Sequence, residues 1–305
     1  MHDISNKVFI VTGSARGLGK GFSRAILENG GYVMLSDVLN QDGHETLLEF
    51  QKEFGEEKVA YNFCDVTDST SFEELWRKTV NKFNRPVNVL VNNAGVTHQA
   101  GWRKCLDVNI RAVMNGNDLA IEKMSKANGG DGGHVINIGS TGGFITGPDQ
   151  ESASYFVSKS GVVTLTRSFG SKNVFNETNI RFVSLCPAFA DTKFLDSNIR
   201  SYIKNQSKLE ILSIEAVVKG FIHLFKHGAN GKVSILVKEH LPLMDWPNYE
   251  WRFLLIPLII SAKLSKKLGY NGVFDIKQQL AFFITLFLFF LLDFEIFYTL
   301  SNILI

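Results

Sequence analysis

The chain has 305 residues, 45% of them hydrophobic, and sets 32 basic side chains against 30 acidic ones. That length holds one large domain with a sizeable core, or a domain with an appendage, and the even charge leaves no nucleic-acid footprint. Three cysteines, Cys64, Cys105 and Cys186, show no CxxC spacing, which argues against a disulfide framework and for buried thiols in a reducing compartment.

At the N-terminus, MHDISNKVFIVTG passes straight from a polar start into a strand and a glycine loop. A charged leader with an apolar core does not fit there, so the domain is expected to begin in the cytoplasm. In chain order, short apolar runs predict strands over 7–12, 32–36, 59–64, 87–91, 134–139, 180–186 and 232–237. Helical spacing fills 18–29, 42–54, 69–83, 103–126, 155–173 and 213–227. Several strands are apolar throughout, the pattern of strands covered on both faces. This alternation predicts an α/β fold, a doubly wound parallel sheet of about seven strands over residues 1–245. From 246 to 305 the character changes: WRFLLIPLIISAKLSKKLGYNG mixes apolar and basic residues, and 280–305 is almost wholly apolar.

The first strand ends in TGSARGLG, residues 12–19. Gly13, Gly17 and Gly19 allow a tight turn and a close backbone approach to a pyrophosphate at a helix N-terminus, with Thr12, Arg16 and Leu18 in the same turn. The spacing TGxxxGxG is a weak signal alone, and a plain glycine-rich turn competes with it. Its place between strand and helix strengthens it. The second strand ends at Asp37, where an acid accepts hydrogen bonds from the adenosine ribose hydroxyls and repels a 2′-phosphate. That favours NAD over NADP. Arg16 pulls the other way, but Asp37 faces the ribose directly and is weighted more heavily. Asp65 and Val66 close the third strand beside a candidate adenine edge. Asn93, Ala94 and Gly95 close the fourth with small residues that let a cofactor pass close to the sheet.

The fifth strand delivers Ser140 at its C-terminal end, the edge where ligands bind in open α/β sheets. Tyr155 and Lys159, four apart, share one helix face, and Asn109 lies in LDVNI on the long helix after strand four. TGxxxGxG, Asp37, DV, NNAG, Asn109, Ser140 and Tyr155-x-x-x-Lys159, in this order over about 240 residues, resemble the short-chain dehydrogenase/reductase family. VNNAGV, MSKANGGDGGHVINIGS and CPAFADT resemble its NAD-dependent hydroxyprostaglandin dehydrogenase subgroup. The resemblance implies a single Rossmann-type sheet and an oxidoreductase acting on CH–OH groups. It implies Tyr155 as acid/base, Lys159 on the nicotinamide ribose, Ser140 orienting the substrate oxygen and Asn109 supporting a proton-relay water. It also implies Thr192 on the nicotinamide carboxamide, with Pro187 starting that loop, and a homodimer through the apolar surfaces of helices 103–126 and 155–173, although fully buried helices would read the same. A free tyrosine at about 10 must fall by roughly three units, about 4 kcal/mol, to act as base near neutrality, and an ammonium one turn away favours the phenolate.

Two departures from the family pattern stand out. The stretch from Ser140 to Tyr155 is slightly long, consistent with an insertion. Pro187–Ala188 replaces the usual Pro-Gly, and alanine suits a positive φ poorly. His223 and His227 are four apart; a C-terminal helix position complementing the dipole is preferred to a metal site, and no metal is expected. Phe144, Phe189 and Phe194 suit a lipid-like alcohol such as a hydroxyprostaglandin or hydroxy fatty acid. They suit a steroid, retinoid or simple alcohol as well. A non-catalytic nucleotide-binding scaffold at a membrane is the reading from another class, and the complete set Asn109, Ser140, Tyr155 and Lys159 argues against it.

For the tail, 280–292 is uncharged but short of the about 20 residues a span needs. Extension to 305 brings in Asp293 and Glu295, a central Asp costing about 2.5–3.5 kcal/mol. An interfacial segment using Lys263, Lys266 and Lys267 is a second reading. A translated non-coding extension, rich in residues of A/T-rich codons, is a third.

Overall fold

The computed structural model describes residues 2–246 apart from 148, 196, 206–209 and 241. The apolar segment at 280–305, with its three readings, lies outside the described residues. Strand β1 (Val8–Thr12) is followed by α1 (Gly17–Glu28), β2 (Tyr32–Asp37), α2 (Asn40–Phe54), β3 (Val59–Phe63), α3 (Ser69–Phe83) and β4 (Val89–Asn92). Next come α4 (Trp102–Leu106), a π-turn over Asp107–Arg111, α5 (Ala112–Met124), β5 (Gly133–Ile138) and a 3-10 turn over Thr141–Phe144. The chain continues through α6 (Ala153–Phe169), α7 (Lys172–Thr178), β6 (Ile180–Pro187), β7 (Phe189–Ala190) and α8 (Ser197–Asn205). It closes with β8 (Ile211–Leu212), α9 (Ile214–His227), β9 (Val233–Leu236) and β10 (Met244–Asp245).

The main sheet runs β10-β9-β6-β5-β4-β1-β2-β3. All its pairings are parallel except β10 against β9. Seven strands match the expectation; the two-residue β10 is too short for a periodicity signal. Alternation along β1 feeds two apolar layers, as both-face burial demands. Phe9 and Val11 pack with Phe22, Ile26, Phe221 and Phe225 of α1 and α9. Val8 and Ile10 pack with Phe72, Leu75 and Trp76 of α3. Chain order reverses between β1 and β4, so the C-terminal ends of these strands open a crevice, the switch point where α/β sheets bind ligands.

Two long helices expected from the sequence are divided. Helix 103–126 is interrupted by the π-turn that carries Asn109, a feature frequent at functional sites. Helix 155–173 stops at Phe169. A Cβ on Gly170 would stand 2.3 Å from Gly231 Cα, and Ser171 caps α7 by accepting from Val174 N at 3.4 Å. Ala188 causes no backbone strain. Among the described residues only Asn6, Asn84 and Asn179 are non-glycine residues at positive φ, and Ala188 N donates to Leu236 O at 2.8 Å. His223 and His227 lie in the last two turns of α9, rings 4.9 Å apart.

Candidate active site

The glycine turn fits a phosphate-bearing ligand in its details. Gly13 and Gly17 have φ of 63° and 58°, conformations that favour glycine. A Cβ on Gly13 would stand 2.8 Å from Ala94 Cα, and one on Gly19 2.2 Å from the Gly13 carbonyl oxygen. Arg16 occupies the N-cap of α1 and makes no side-chain cap, so the helix start presents N–H groups and the positive end of its dipole at the cleft. Asp37, at the end of β2, is 9% exposed. Its carboxylate accepts from Ala15 N and Leu39 N, each at 3.0 Å, which fixes it beside the turn. Arg16 points at Asp42, 3.8 Å away.

These groups border a cleft of about 730 Å³, within the size range of small-molecule sites. Gly13, Arg16, Gly17, Leu18, Gly19, Asp37, Asp65, Val66, Asn93, Ala94, Gly95, Pro187 and Thr192 line it, and so do Ser140, Tyr155 and Lys159. Two expected residues stand behind the wall instead. Thr12 is 1% exposed; its hydroxyl donates to Val91 O at 3.3 Å and accepts from Asn93 N and Ala94 N at 3.1 Å, stitching β1 to the 93–95 run. Asn109 is wholly buried. Its Oδ1 accepts from Val96 N at 2.8 Å, and its Nδ2 donates to Val96 O at 2.9 Å and Ser158 Oγ at 3.2 Å.

Ser140 follows β5, its Oγ accepting from Gly142 N at 3.0 Å, and lines the same cleft as Tyr155. Lys159 is 6% exposed and donates to Ile138 O at 2.9 Å. Burial lowers the Lys159 ammonium to about 8 and raises the Tyr155 phenol to about 12, with Ser140 pulling it part of the way back. The expected depression of the phenol by its lysine is therefore outweighed, because both groups are desolvated and the ammonium is turned to a carbonyl. Phe194 lines the cleft with its ring 5.9 Å from that of Tyr155. Phe144 instead packs on Trp246 at 4.5 Å, and neither it nor Phe189 is among the lining residues.

Sequence reasoning missed Ser158, which bridges Asn109 to the Tyr155 carbonyl at 2.7 Å. It sits inside the Tyr-to-Lys stretch, so the buried side of that helix was the signal. It also missed Arg200, which grips the loop carrying Thr192; no local spacing marks a lone arginine.

The family model for short chain dehydrogenases matches residues 7–202, and the chain belongs to that family, whose members are oxidoreductases acting on CH–OH groups. Among particular relatives, it is 31% identical over 279 residues to 15-hydroxyprostaglandin dehydrogenase of Mus musculus, covering 87% of this chain and 100% of the relative. The Homo sapiens protein of that name is 33% identical over 260 residues, 81% of this chain and 96% of the relative. Both names carry NAD(+) as cofactor. The 3-oxoacyl-acyl-carrier-protein reductase FabG of Thermotoga maritima is 29% identical over 197 residues, 62% of this chain and 76% of the relative.

Proposed function

We propose that this chain is an NAD-dependent dehydrogenase that oxidises a secondary alcohol on a lipid-like substrate, a hydroxyprostaglandin or hydroxy fatty acid, to the ketone. The observation that carries this reading is the convergence of Ser140, Tyr155 and Lys159 with the glycine turn in one cleft. The lipid-like substrate rests on the likeness to relatives named 15-hydroxyprostaglandin dehydrogenase and on the apolar Val96, Phe194 and Leu195 in the cleft wall.

The glycine turn and the start of α1 would hold the pyrophosphate of NAD, Asp37 the adenosine ribose, and Asp65 and Val66 the adenine edge. Asn93, Ala94 and Gly95 would border its passage along the sheet, with Lys159 on the nicotinamide ribose and Thr192 and Pro187 at the carboxamide. Asp37 and the Arg16–Asp42 pair both disfavour a 2′-phosphate. When bound, NAD supplies the acceptor for the hydride that leaves the carbinol carbon. The Tyr155 oxygen takes the hydroxyl proton, Ser140 orients the substrate oxygen, and the Lys159 ammonium favours the phenolate. Asn109 works from behind by fixing Val96 and so Gly95, where a Cβ would lie 3.4 Å from Asn109 Oδ1 and 3.9 Å from Lys159 Nζ.

The catalytic domain occupies residues 1–245, with 246–305 as an extension, and the enzyme works in the cytoplasm. It pairs with a second copy through α4, α5 and α6, whose Trp102, Met114 and Val157 are 56%, 40% and 61% exposed. Tyr155→Phe tests the chemistry. Turnover should fall by about 10²–10⁴-fold while NADH binding persists; undiminished turnover would refute the assignment.

A further inference from the structure

Asp191, Thr192, Lys193, Phe194 and Leu195 all line the cleft, yet the segment is neither helix nor strand. One end is tied to the β7–β8 pair, where Asp191 N donates to Leu212 O at 2.8 Å. The Arg200 side chain of α8 then grips the rest. Arg200 donates from Nη1 to Asp191 Oδ1 at 2.6 Å, from Nη2 to Thr192 O at 2.7 Å and from Nε to Leu195 O at 3.2 Å. A planar guanidinium can engage such divergent acceptors with fixed geometry, and an ammonium cannot. The side chains of Arg200 and Asp191 are 34% and 60% exposed, so their ion pair alone contributes little. The two backbone carbonyls make the contact a clamp, because they fix the course of the chain itself.

That course places two groups of the site. The Thr192 Cγ2 methyl lies 3.4 Å from where a Cβ on Gly17 would stand, and Phe194 reaches toward Tyr155. Arg200 does not line the cleft.

We infer that Arg200 is a positioning residue that latches segment 191–195, setting Thr192 against the glycine turn and Phe194 beside Tyr155, and thereby sets affinity for dinucleotide and alcohol without touching either. This rests on the dehydrogenase reading above. The latch acts through binding, so it leaves the proton chemistry of Tyr155 as it is.

The test compares the full chain with Arg200→Ala, Arg200→Lys and Asp191→Asn, measuring NADH affinity by fluorescence, kcat and KM, the pH dependence of kcat, and thermal melting. Arg200→Ala should weaken NADH binding and raise KM by about tenfold, with the pH profile of kcat unshifted and added guanidinium restoring part of the affinity. Arg200→Lys should recover only a fraction, and Asp191→Asn should cost less than Arg200→Ala. If Arg200→Ala does not fold, Arg200→Lys decides. Wild-type affinity in either arginine variant, or an unchanged affinity with only a lowered melting temperature, overturns the latch. A wild-type chain that does not bind NADH overturns the dehydrogenase reading and the latch with it; binding unaffected by the variants overturns the latch alone.

Discussion

Lys159 Nζ stands 5.9 Å from the centre of the Tyr155 ring and donates to the Ile138 carbonyl oxygen at 2.9 Å. The two side chains share a face of α6, but the carbonyl of β5 holds the ammonium. Burial acts on both in the same sense, toward the neutral form: the phenol goes up to about 12 and the ammonium down to about 8. The pair thus keeps the phenol proton at neutral pH and holds the lysine near its titration.

The consequence is a directional pH dependence. Below its value of about 12 the phenol is mostly protonated, so each pH unit raises the phenolate fraction about tenfold. Above about 8 the Lys159 charge is progressively lost, which works against the phenolate. The kcat/KM for alcohol oxidation should therefore climb from pH 6 and flatten above 8, while that for ketone reduction, which uses the protonated phenol, stays level up to about 8 and falls above it. Initial rates in both directions would show this; flat profiles in both would contradict it.

In the proposed function, cofactor choice rests on Asp37. Its carboxylate is positioned by Ala15 N and Leu39 N and faces the cleft. Asp37→Ser should lower kcat/KM for NAD by about ten- to a hundredfold, the loss of one or two charge-assisted hydrogen bonds, and raise it for NADP. An unchanged preference ratio would remove Asp37 from this role.

Gly13 is the tightest test of the dinucleotide turn. With φ of 63° and a Cβ position 2.8 Å from Ala94 Cα, Gly13→Ala forces the turn away from the 93–95 run. Strain of about 1–3 kcal/mol should lower the melting temperature and weaken NADH binding together. Wild-type affinity in this variant would show that the turn does not hold the cofactor.

At the opposite edge of the sheet, buried Arg181 donates from Nε to His134 Nδ1 at 3.1 Å and from Nη2 to Phe225 O at 2.7 Å. It also donates to the Gly228 carbonyl, satisfying carbonyls at the end of α9. Burial first, and the Arg181 charge next, lower His134 from 6.5 to about 2. The folded value lies below the unfolded one, so between these limits the unfolded chain binds the extra proton and stability falls as pH drops below 6.5. The slope is about 1.4 kcal/mol per pH unit. His134→Gln keeps an acceptor for Arg181 and removes the titration, so its melting temperature should decline less steeply with acid. Parallel declines would assign the acid sensitivity elsewhere.

Much of the site is legible because its chemistry is bound to local period. TGSARGLG gains its meaning from its place between a strand and a helix, and Tyr155 and Lys159 share a helix face because four residues make about one helical turn. What resists reading depends on tertiary placement. A π-turn at Asn109 has the composition of the helix around it. Phe144 and Phe194 are alike as residues, yet one packs on Trp246 and the other borders Tyr155. Ala188 suggested strain only through a glycine expected there, and the backbone takes an ordinary path. Arg200 owes its role to carbonyls that the fold brings within reach, which no spacing encodes.

The most direct test is NADH formation by the full chain given a hydroxyprostaglandin with NAD or with NADP. Turnover with NAD, little with NADP, and a fall of about 10²–10⁴-fold in Tyr155→Phe is the predicted result. An enzyme that prefers NADP, or that binds NADH yet oxidises no hydroxylated prostaglandin or fatty acid, would contradict the account.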